Sequence, residues 1–160
     1  MSDQPETGSV RKGKCLCGAV TVTCEGDPAI KAICHCRDCR AWTGSLQMAT
    51  MWLQEKVSIE GEDDLIEYKS DITTPGLAPD GGLSNRYSCR KCGSCIINKH
   101  PMLGKVDVPA GLVYTSPEDP FKPEMHIWYS QRVLNIVDGL PKFKDLPAGF
   151  KGTDEQVPEE

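Results

Sequence analysis

Seven of the nine cysteines lie in three short clusters, and these clusters constrain the fold more than any other feature of the chain. The first outer pair is Cys15 and Cys17, the central triplet is Cys34, Cys36 and Cys39, and the second outer pair is Cys89 and Cys92. Cysteines two or three residues apart are typical of metal sites, because one short turn can point two sulfurs at the same ion. All-thiolate surroundings favour zinc, and iron and copper(I) stay open as alternatives because they also bind thiolates. We therefore predict a fold that is organised by bound zinc.

The length and composition suit a single small domain. The chain has 160 residues, of which 39% are hydrophobic and 6% aromatic, and a modest core of this kind gains from metal cross-links. Residues 1–12 and 151–160 are polar, charged or rich in glycine and proline, so we predict a flexible N-terminal segment and a flexible acidic tail. Residues 13–150 are predicted to form one zinc-binding domain.

Charge and hydropathy argue against several classes of partner. The formal net charge is -5, which argues against nucleic acid as the main ligand. The first fourteen residues contain no apolar run, and no stretch approaches the roughly 20 apolar residues of a spanning helix, so we expect neither an export signal nor a membrane anchor. Nine cysteines without an export signal indicate a reducing compartment, and we expect a cytoplasmic protein.

The distribution of β-branched residues predicts a mainly β fold. Runs rich in valine, isoleucine, threonine and tyrosine recur at 19–24, 29–34, 46–52, 56–60, 65–68, 85–89 and 111–115. In the first run Val20, Val22 and Cys24 alternate with more polar residues, which predicts one buried face. Residues 37–42 are predicted to form one helical turn. The segment 71–85, rich in glycine and proline, is predicted to be a surface loop.

The clustered cysteines predict two metal sites of different kinds. Neither outer pair fills a tetrahedral site alone, so joining the two pairs gives a closed four-thiolate site that we predict to hold structural zinc. The central triplet would hold a second zinc and leave a fourth position for a ligand, which makes it the functional candidate. A different grouping stays open. The last two cysteines of the triplet and the second outer pair would form an ordinary zinc ribbon, leaving the other three as a looser set.

The remaining cysteines and the three histidines have less specific patterns. Cys24 and Cys95 are predicted to be buried as small apolar side chains. His35 lies between two predicted ligands, so we expect its ring to point away from the metal. His100 is predicted to be exposed in a polar loop. His126, in an apolar strand, is either a satisfied core residue or one that orients a substrate.

Together with further motifs, the cysteines resemble those of a known family. The motifs are Gly13-x-Cys15-x-Cys17-Gly18, Cys34-His35-Cys36-x-x-Cys39-Arg40 followed by Thr43-Gly44, Cys89-x-x-Cys92-Gly93, Pro123-Glu124-x-His126-Ile127-Trp128 and Asp138-Gly139-Leu140-Pro141-x-Phe143. They extend over about residues 13–147 and resemble the glutathione-dependent formaldehyde-activating enzyme family, also called S-(hydroxymethyl)glutathione synthases. The loop at 71–84 and the extra Cys24 and Cys95 depart from the family pattern. These departures bear on the prediction of substrate specificity and not on the prediction of the fold.

The resemblance implies both a fold and a reaction. The implied fold is a β-tent of small stacked antiparallel sheets with two zinc ions per chain. The outer pairs would bind the structural zinc and the central triplet the catalytic zinc. The implied reaction is the reversible addition of glutathione to formaldehyde or a related small aldehyde. It gives S-hydroxymethylglutathione and would make the chain a carbon–sulfur lyase.

Four residues near these motifs are candidate substrate contacts. Arg40 is predicted to pair with a glutathione carboxylate. Thr43 and Gly44 either donate hydrogen bonds to the tripeptide or only form the turn before the next strand. His126 is the fourth candidate. The alternative function is a zinc-stabilised binding module or a thiol carrier without turnover. A free sheet edge would allow two chains to pair as a homodimer.

Overall fold

The computed structural model describes residues 8–70 and 84–159, which contain ten β-strands and two short helices. The strands are β1 (Val10–Lys14), β2 (Thr21–Glu25), β3 (Ile30–Cys34), β4 (Gln47–Leu53), β5 (Val57–Glu60), β6 (Leu65–Lys69), β7 (Asn85–Cys89), β8 (Cys95–His100), β9 (Lys105–Pro109) and β10 (Met125–Ile127). The helices are α1 (Arg37–Thr43) and α2 (Ala110–Val113). Single 3₁₀ turns occupy Gln54–Lys56, Glu62–Asp64, Pro101–Leu103, Tyr129–Gln131 and Ala148–Phe150. The predicted mainly β class is confirmed.

The strands form two sheets of unequal size. Strands β1, β2 and β5 make a three-stranded antiparallel sheet, with β2 in the middle. The larger sheet has seven strands in the order β10-β3-β4-β9-β8-β7-β6. Its neighbouring strands are antiparallel, except that β10 runs parallel to β3. One edge of the larger sheet is therefore completed by a strand from late in the chain.

Apolar side chains from both sheets form the main core. Val20, Val22 and Cys24 are fully buried in this core, as their alternation predicted. The large sheet contributes Trp52, Ile96, Ile97, Val106 and Val108. The indole N–H of Trp52 donates to Thr50 Oγ1 across 2.9 Å, so burial of the ring leaves no polar atom unpaired.

The opposite face of the large sheet carries a second cluster. Its buried apolar residues include side chains of β3, β4 and β10, and partly buried residues from the C-terminal loops pack against them: Ile30, Ala32, Ala49, Met51 and Ile127, covered by Trp128, Leu146 and Phe150. Because both faces of the large sheet are covered here, β4 is buried along most of its length rather than at alternate residues.

Six of the seven predicted strands are confirmed, with ends that differ by at most two residues. The predicted helical turn is confirmed as α1. The seventh predicted strand, 111–115, is wrong, because Ala110–Val113 form α2. The N–H of Tyr114 donates to the carbonyl of Ala110 across 2.8 Å, and Leu112 and Val113 pack in the main core. Tertiary packing therefore overrides the β-propensity of this run.

Several elements lie where the sequence pattern gave no strand. Strand β1 has the sequence VRKGK, without apolar alternation, and begins at Val10 inside the segment predicted to be flexible. Strands β8 and β9 each contain a buried polar residue, Asn98 and Asp107, which interrupts the apolar pattern. In the predicted tail, Glu159 accepts hydrogen bonds from the N–H groups of Asp138 and Gly139. Residues 71–83 of the predicted surface loop lie outside the described residues.

Gly13 lies where α2 packs on β1, at a distance that leaves no room for a side chain. A Cβ atom at this position would lie 1.8 Å from the carbonyl oxygen of Leu112. We expect Gly13→Ala to lower the free energy of unfolding by about 1–3 kcal/mol, since the backbone of α2 must move. Urea unfolding would measure the change. Gly149→Ala is the matched control, because a Cβ there meets no described atom within 4 Å, and equal stability of the two variants would contradict the close approach.

Candidate metal centres and adjoining cavity

The two outer cysteine pairs meet at one point, although they are far apart in sequence. The first pair lies in the turn between β1 and β2, and the second lies at the end of β7 and in the turn after it. All four sulfurs lie within 4.8 Å of one another. Cys17 Sγ is 3.6 Å from Cys15 Sγ and 3.8 Å from Cys89 Sγ. Tetrahedral zinc with Zn–S bonds of about 2.3 Å separates its sulfurs by about 3.8 Å, so this donor set fits a zinc ion.

Each turn that carries one of these pairs is closed by a glycine, although the first hydrogen bond spans three residues and the second spans four. The N–H of Gly18 donates to Cys15 O across 3.0 Å, and the N–H of Gly93 donates to Cys89 O across 2.8 Å. Both glycines have positive φ angles of 79° and 75°, a conformation that residues with a Cβ rarely adopt. The glycine after each pair therefore closes the turn that points the sulfurs at one place.

Ser94 connects the two turns. Its hydroxyl accepts a hydrogen bond from the N–H of Leu16 across 3.1 Å and lies 3.2 Å from Cys92 Sγ. Hydrogen bonding from Ser94 lowers the pKa of Cys92 to about 5. On the other turn, Cys15 Sγ accepts from the N–H of Val20. These donors stabilise the thiolate form, which is the form that binds a metal.

The central triplet is positioned by the end of β3 and the start of α1. Its three sulfurs lie within 4.8 Å of one another, and all three cysteines are buried. Cys36 is the N-cap of α1, and its Sγ accepts a hydrogen bond from the N–H of Cys39 across 3.2 Å. The helix start therefore fixes the spacing of two of the three sulfurs.

Three buried thiols this close cannot all ionise unless a cation is near them. Hydrogen bonds from the thiols of Cys34 and Cys39 lower the pKa of Cys36 to about 3. The hydrogen bond to Cys36 raises the pKa of Cys34 well above its usual value. A divalent cation would allow all three sulfurs to bind as thiolates. The triplet therefore also fits zinc, with one tetrahedral position left for another ligand.

The triplet opens into a cavity of about 100 Å³, whereas none of the outer cysteines lines this space. The large sheet forms the floor of the cavity, and residues of the C-terminal loops, including Trp128, Leu146 and Phe150, line the opposite side. The two cysteine groups therefore differ in surroundings. The triplet borders a space that could hold a small molecule, whereas the outer pairs do not border this cavity.

One row of side chains across the large sheet forms the floor of the cavity. The strand register places five lining residues opposite one another in neighbouring strands: Ile30, Met51, Asp107, Asn98 and Arg86. The β3 and β4 end of this row is apolar. The other end, on β9, β8 and β7, is polar, and its three residues are more than nine-tenths buried.

The polar end of the floor contains hydrogen-bonding atoms that no described residue satisfies. These atoms are Arg86 Nε, Asn98 Oδ1 and Asp107 Oδ1. Other atoms of the same groups are bonded, since Gln47 Nε2 donates to Asp107 Oδ2 across 2.6 Å and Arg86 Nη1 donates to Ser70 Oγ across 3.4 Å. Burial raises the pKa of Asp107 to about 7.

These three residues are not among the site residues predicted from the sequence. Asp107 stands between two valines, and Asn98 follows two isoleucines. A polar residue in the middle of an apolar run is the signal that could have found them, because such a residue is buried if the run is a strand. Arg86, in a strand that was predicted, has no such signal.

A chain of hydrogen bonds through the buried rings of His35 and His126 lies beside the triplet. His35 Nε2 is 2.9 Å from His126 Nδ1, and His126 Nε2 is 2.8 Å from Asp138 Oδ2. Because an ionised carboxylate only accepts, we assign the proton of His126 to Nε2, so that His35 Nε2 donates to His126 Nδ1. Burial lowers the pKa of His35 to about 4. Burial alone would raise the pKa of Asp138, but hydrogen bonds from Lys142 and His126 hold this pKa below its usual range.

Among the described residues, the four predicted substrate contacts lie outside the cavity wall. Arg40 and Thr43 donate to backbone carbonyl oxygens in and near α1. Gly44 ends α1, and His126 is held by the hydrogen-bond chain. These contacts position the helix and the triplet, and a contact with substrate stays a prediction for all four residues.

The prediction that His100 is exposed in a loop is wrong. His100 is the last residue of β8, is partly buried and lines the cavity, with Nδ1 3.4 Å from Ser84 Oγ. It follows Asn98 by two residues, so the alternation of a strand points both side chains to the same face. Cys24 is fully buried, as predicted, whereas Cys95 is only partly buried.

The fold and its two cysteine groups define a small β protein built around candidate metal centres. The family model described as glutathione-dependent formaldehyde-activating enzyme matches residues 10–131, and the chain therefore belongs to this family. No curated protein sequence matches the chain.

A solved structure, the crystal structure of a Rhodobacter sphaeroides protein studied in structural genomics, is similar with a TM-score of 0.48 and 20% sequence identity. The alignment covers 68% of this chain and 93% of that chain. In the part of the chain that the structure describes, no helix has the length and apolar composition needed to cross a membrane.

The two cysteine groups are expected to respond differently to substitution. Cys92→Ser should abolish metal binding by the outer pairs and lower the free energy of unfolding by several kcal/mol, because a metal there would join two distant turns. Cys36→Ser should abolish metal binding by the triplet while the domain stays folded. Zinc content by mass spectrometry and thermal unfolding would measure both effects. Cys95→Ser, outside both groups, is the control, and equal damage from the first two variants would contradict the division.

His126→Ala tests whether this residue supports the structure or contacts substrate. The substitution leaves His35 Nε2 and Asp138 Oδ2 without their partner, so we expect the free energy of unfolding to fall by about 2–4 kcal/mol. Chemical denaturation would measure the loss, with Ser130→Ala as an exposed control for a single hydrogen bond. A variant that unfolds like the wild type but binds glutathione more weakly would favour the substrate contact.

Proposed function

We propose that this chain is an enzyme of the carbon–sulfur lyase type that joins glutathione to formaldehyde or a related small aldehyde. The observation that carries the proposal is a group of three buried cysteine sulfurs that opens into a cavity, and family membership supports it. In the reaction, the thiol sulfur forms a bond to the carbonyl carbon and the carbonyl oxygen gains the thiol proton. The atoms balance without an oxidant or reductant.

Two zinc ions per chain are the cofactors that the proposal requires. The outer pairs would hold one ion as a structural centre, and the central triplet would hold the other. Zinc bound by the triplet would lower the pKa of an added thiol ligand, so that a thiolate is present at neutral pH.

Arg86 offsets the charge that a fourth thiolate brings to the triplet. Three thiolates already give a zinc site a net charge of about -1, and a further buried anion is costly without a partner. Arg86 Nη2 lies 3.9 Å from Cys39 Sγ, and the side chain is 7% exposed. A guanidinium keeps its proton at every physiological pH. Arg86 therefore supplies permanent positive charge at the place where the proposed reaction needs it.

The cavity suits the reacting end of the adduct rather than the whole tripeptide. Its volume of about 100 Å³ is smaller than the roughly 150 Å³ cavity that takes one benzene. The aldehyde carbon and oxygen fit such a space, and the peptide part of glutathione would extend to its opening. Apolar residues such as Ile30, Met51 and Trp128 line the space and exclude water from the reacting atoms.

Exchange spectroscopy by NMR with glutathione and ¹³C-labelled formaldehyde would test the function. The adduct also forms without a catalyst, so the expected result is an exchange rate that rises with protein concentration above the spontaneous rate. Cys36→Ser should return the rate to the spontaneous value, whereas Cys95→Ser should not. A zinc-loaded protein that binds glutathione but leaves the rate unchanged would instead be a thiol carrier or binding module.

A further inference from the structure

We infer that the polar end of the cavity floor, formed by Arg86, Asn98 and Asp107, recognises the hydroxyl group of the thiol–aldehyde adduct. This inference rests on the proposed function and specifies which part of the bound molecule these side chains contact. The register pairs Arg86 with Asn98 and Asn98 with Asp107. The three side chains therefore lie side by side on one face of adjacent strands.

The three residues are buried but incompletely bonded. Arg86 is 7% exposed, Asn98 is 1% exposed and Asp107 is 4% exposed. Each has one side-chain atom with no hydrogen-bond partner among the described residues: Arg86 Nε, Asn98 Oδ1 and Asp107 Oδ1. A buried polar atom without a partner destabilises the fold. All three residues line the cavity, so a bound molecule can supply the missing hydrogen bonds.

The unsatisfied atoms define the chemistry of the group they bind. Arg86 Nε carries a proton and can only donate, whereas Asn98 Oδ1 can only accept. A hydroxyl group satisfies both atoms, because it donates one hydrogen bond and accepts others. A carbonyl oxygen and a carboxylate both accept only, so either group would leave Asn98 Oδ1 unpaired. This pattern therefore favours CH₂–OH over a formyl or carboxyl group.

Arg86 also connects the hydroxyl site to the sulfur site. Its Nη2 lies 3.9 Å from Cys39 Sγ, while its Nε is the unsatisfied donor. Because the guanidinium group is rigid and planar, one side chain fixes the separation between the triplet and the bound hydroxyl. In the adduct only one carbon separates sulfur from oxygen. A sulfur held at the triplet would therefore place its hydroxyl beside the polar end of the floor.

A comparison of two ligands on the zinc-loaded protein tests the inference. One is S-methylglutathione, which has the carbon but no hydroxyl, and the other is S-hydroxymethylglutathione, formed from glutathione and formaldehyde. By calorimetry, we expect the wild type to bind the hydroxymethyl compound about tenfold more tightly, as a hydrogen bond to a charged group allows. Asn98→Leu removes the acceptor and leaves Arg86 as the donor, so it should reduce this preference to about threefold, with the affinity for S-methylglutathione unchanged.

Thr50→Val is the matched control. Thr50 is buried in the same sheet, but its hydroxyl bonds to Val108 O outside the cavity lining, so this variant should keep the full preference. Zinc content and thermal unfolding would show that each variant is folded. Equal affinity of the wild type for both ligands would overturn the inference without any variant, as would a folded Asn98→Leu protein that keeps the preference. If the wild type binds neither these ligands nor glutathione, the proposed function itself fails.

Discussion

Thiolate sulfurs in contact repel one another unless a cation lies between them, and the arrangement of this fold follows from two groups of such sulfurs. The outer pairs bring the turn after β1 to the turn after β7, which connects the small sheet to the large one. The triplet gathers three sulfurs at the start of a short helix. Four sulfurs complete a tetrahedron and three do not, so one group suits a structural role and the other leaves a place for chemistry.

The large sheet serves both groups because its two faces have different surroundings. On β4, Trp52 is buried in the main core, whereas Met51 faces the cavity. A strand that alternates in this way supports the core and the floor of the cavity at once. The polar end of the floor is then held by the hydrogen-bond ladder of β7, β8 and β9, so its three side chains need no loop to position them. Rigid elements of this kind keep a site in register.

Local patterns allowed much of the fold to be predicted, and long-range pairing explains most of the rest. The cysteine motifs, α1 and six strands can each be predicted from a short stretch of sequence. The row from Ile30 to Arg86 depends instead on the register of five strands, which no short stretch contains. Strands β8 and β9 were missed because Asn98 and Asp107 interrupt their apolar runs. These two residues, together with Arg86, form the proposed hydroxyl site.

The parallel pairing of β10 with β3 sets the order in which the chain can be completed. Contacts between residues distant in sequence cost loop-closure entropy and form late. During synthesis the triplet emerges well before Trp128, Leu146 and Phe150, which cover the same cluster. At about 5–20 residues per second, the interval is roughly 5–20 seconds. In that interval the three thiols of the unfinished chain are open to solvent, metal ions and oxidants. The timing of translation, as well as binding affinity, therefore decides whether the thiols first meet a metal ion or an oxidant.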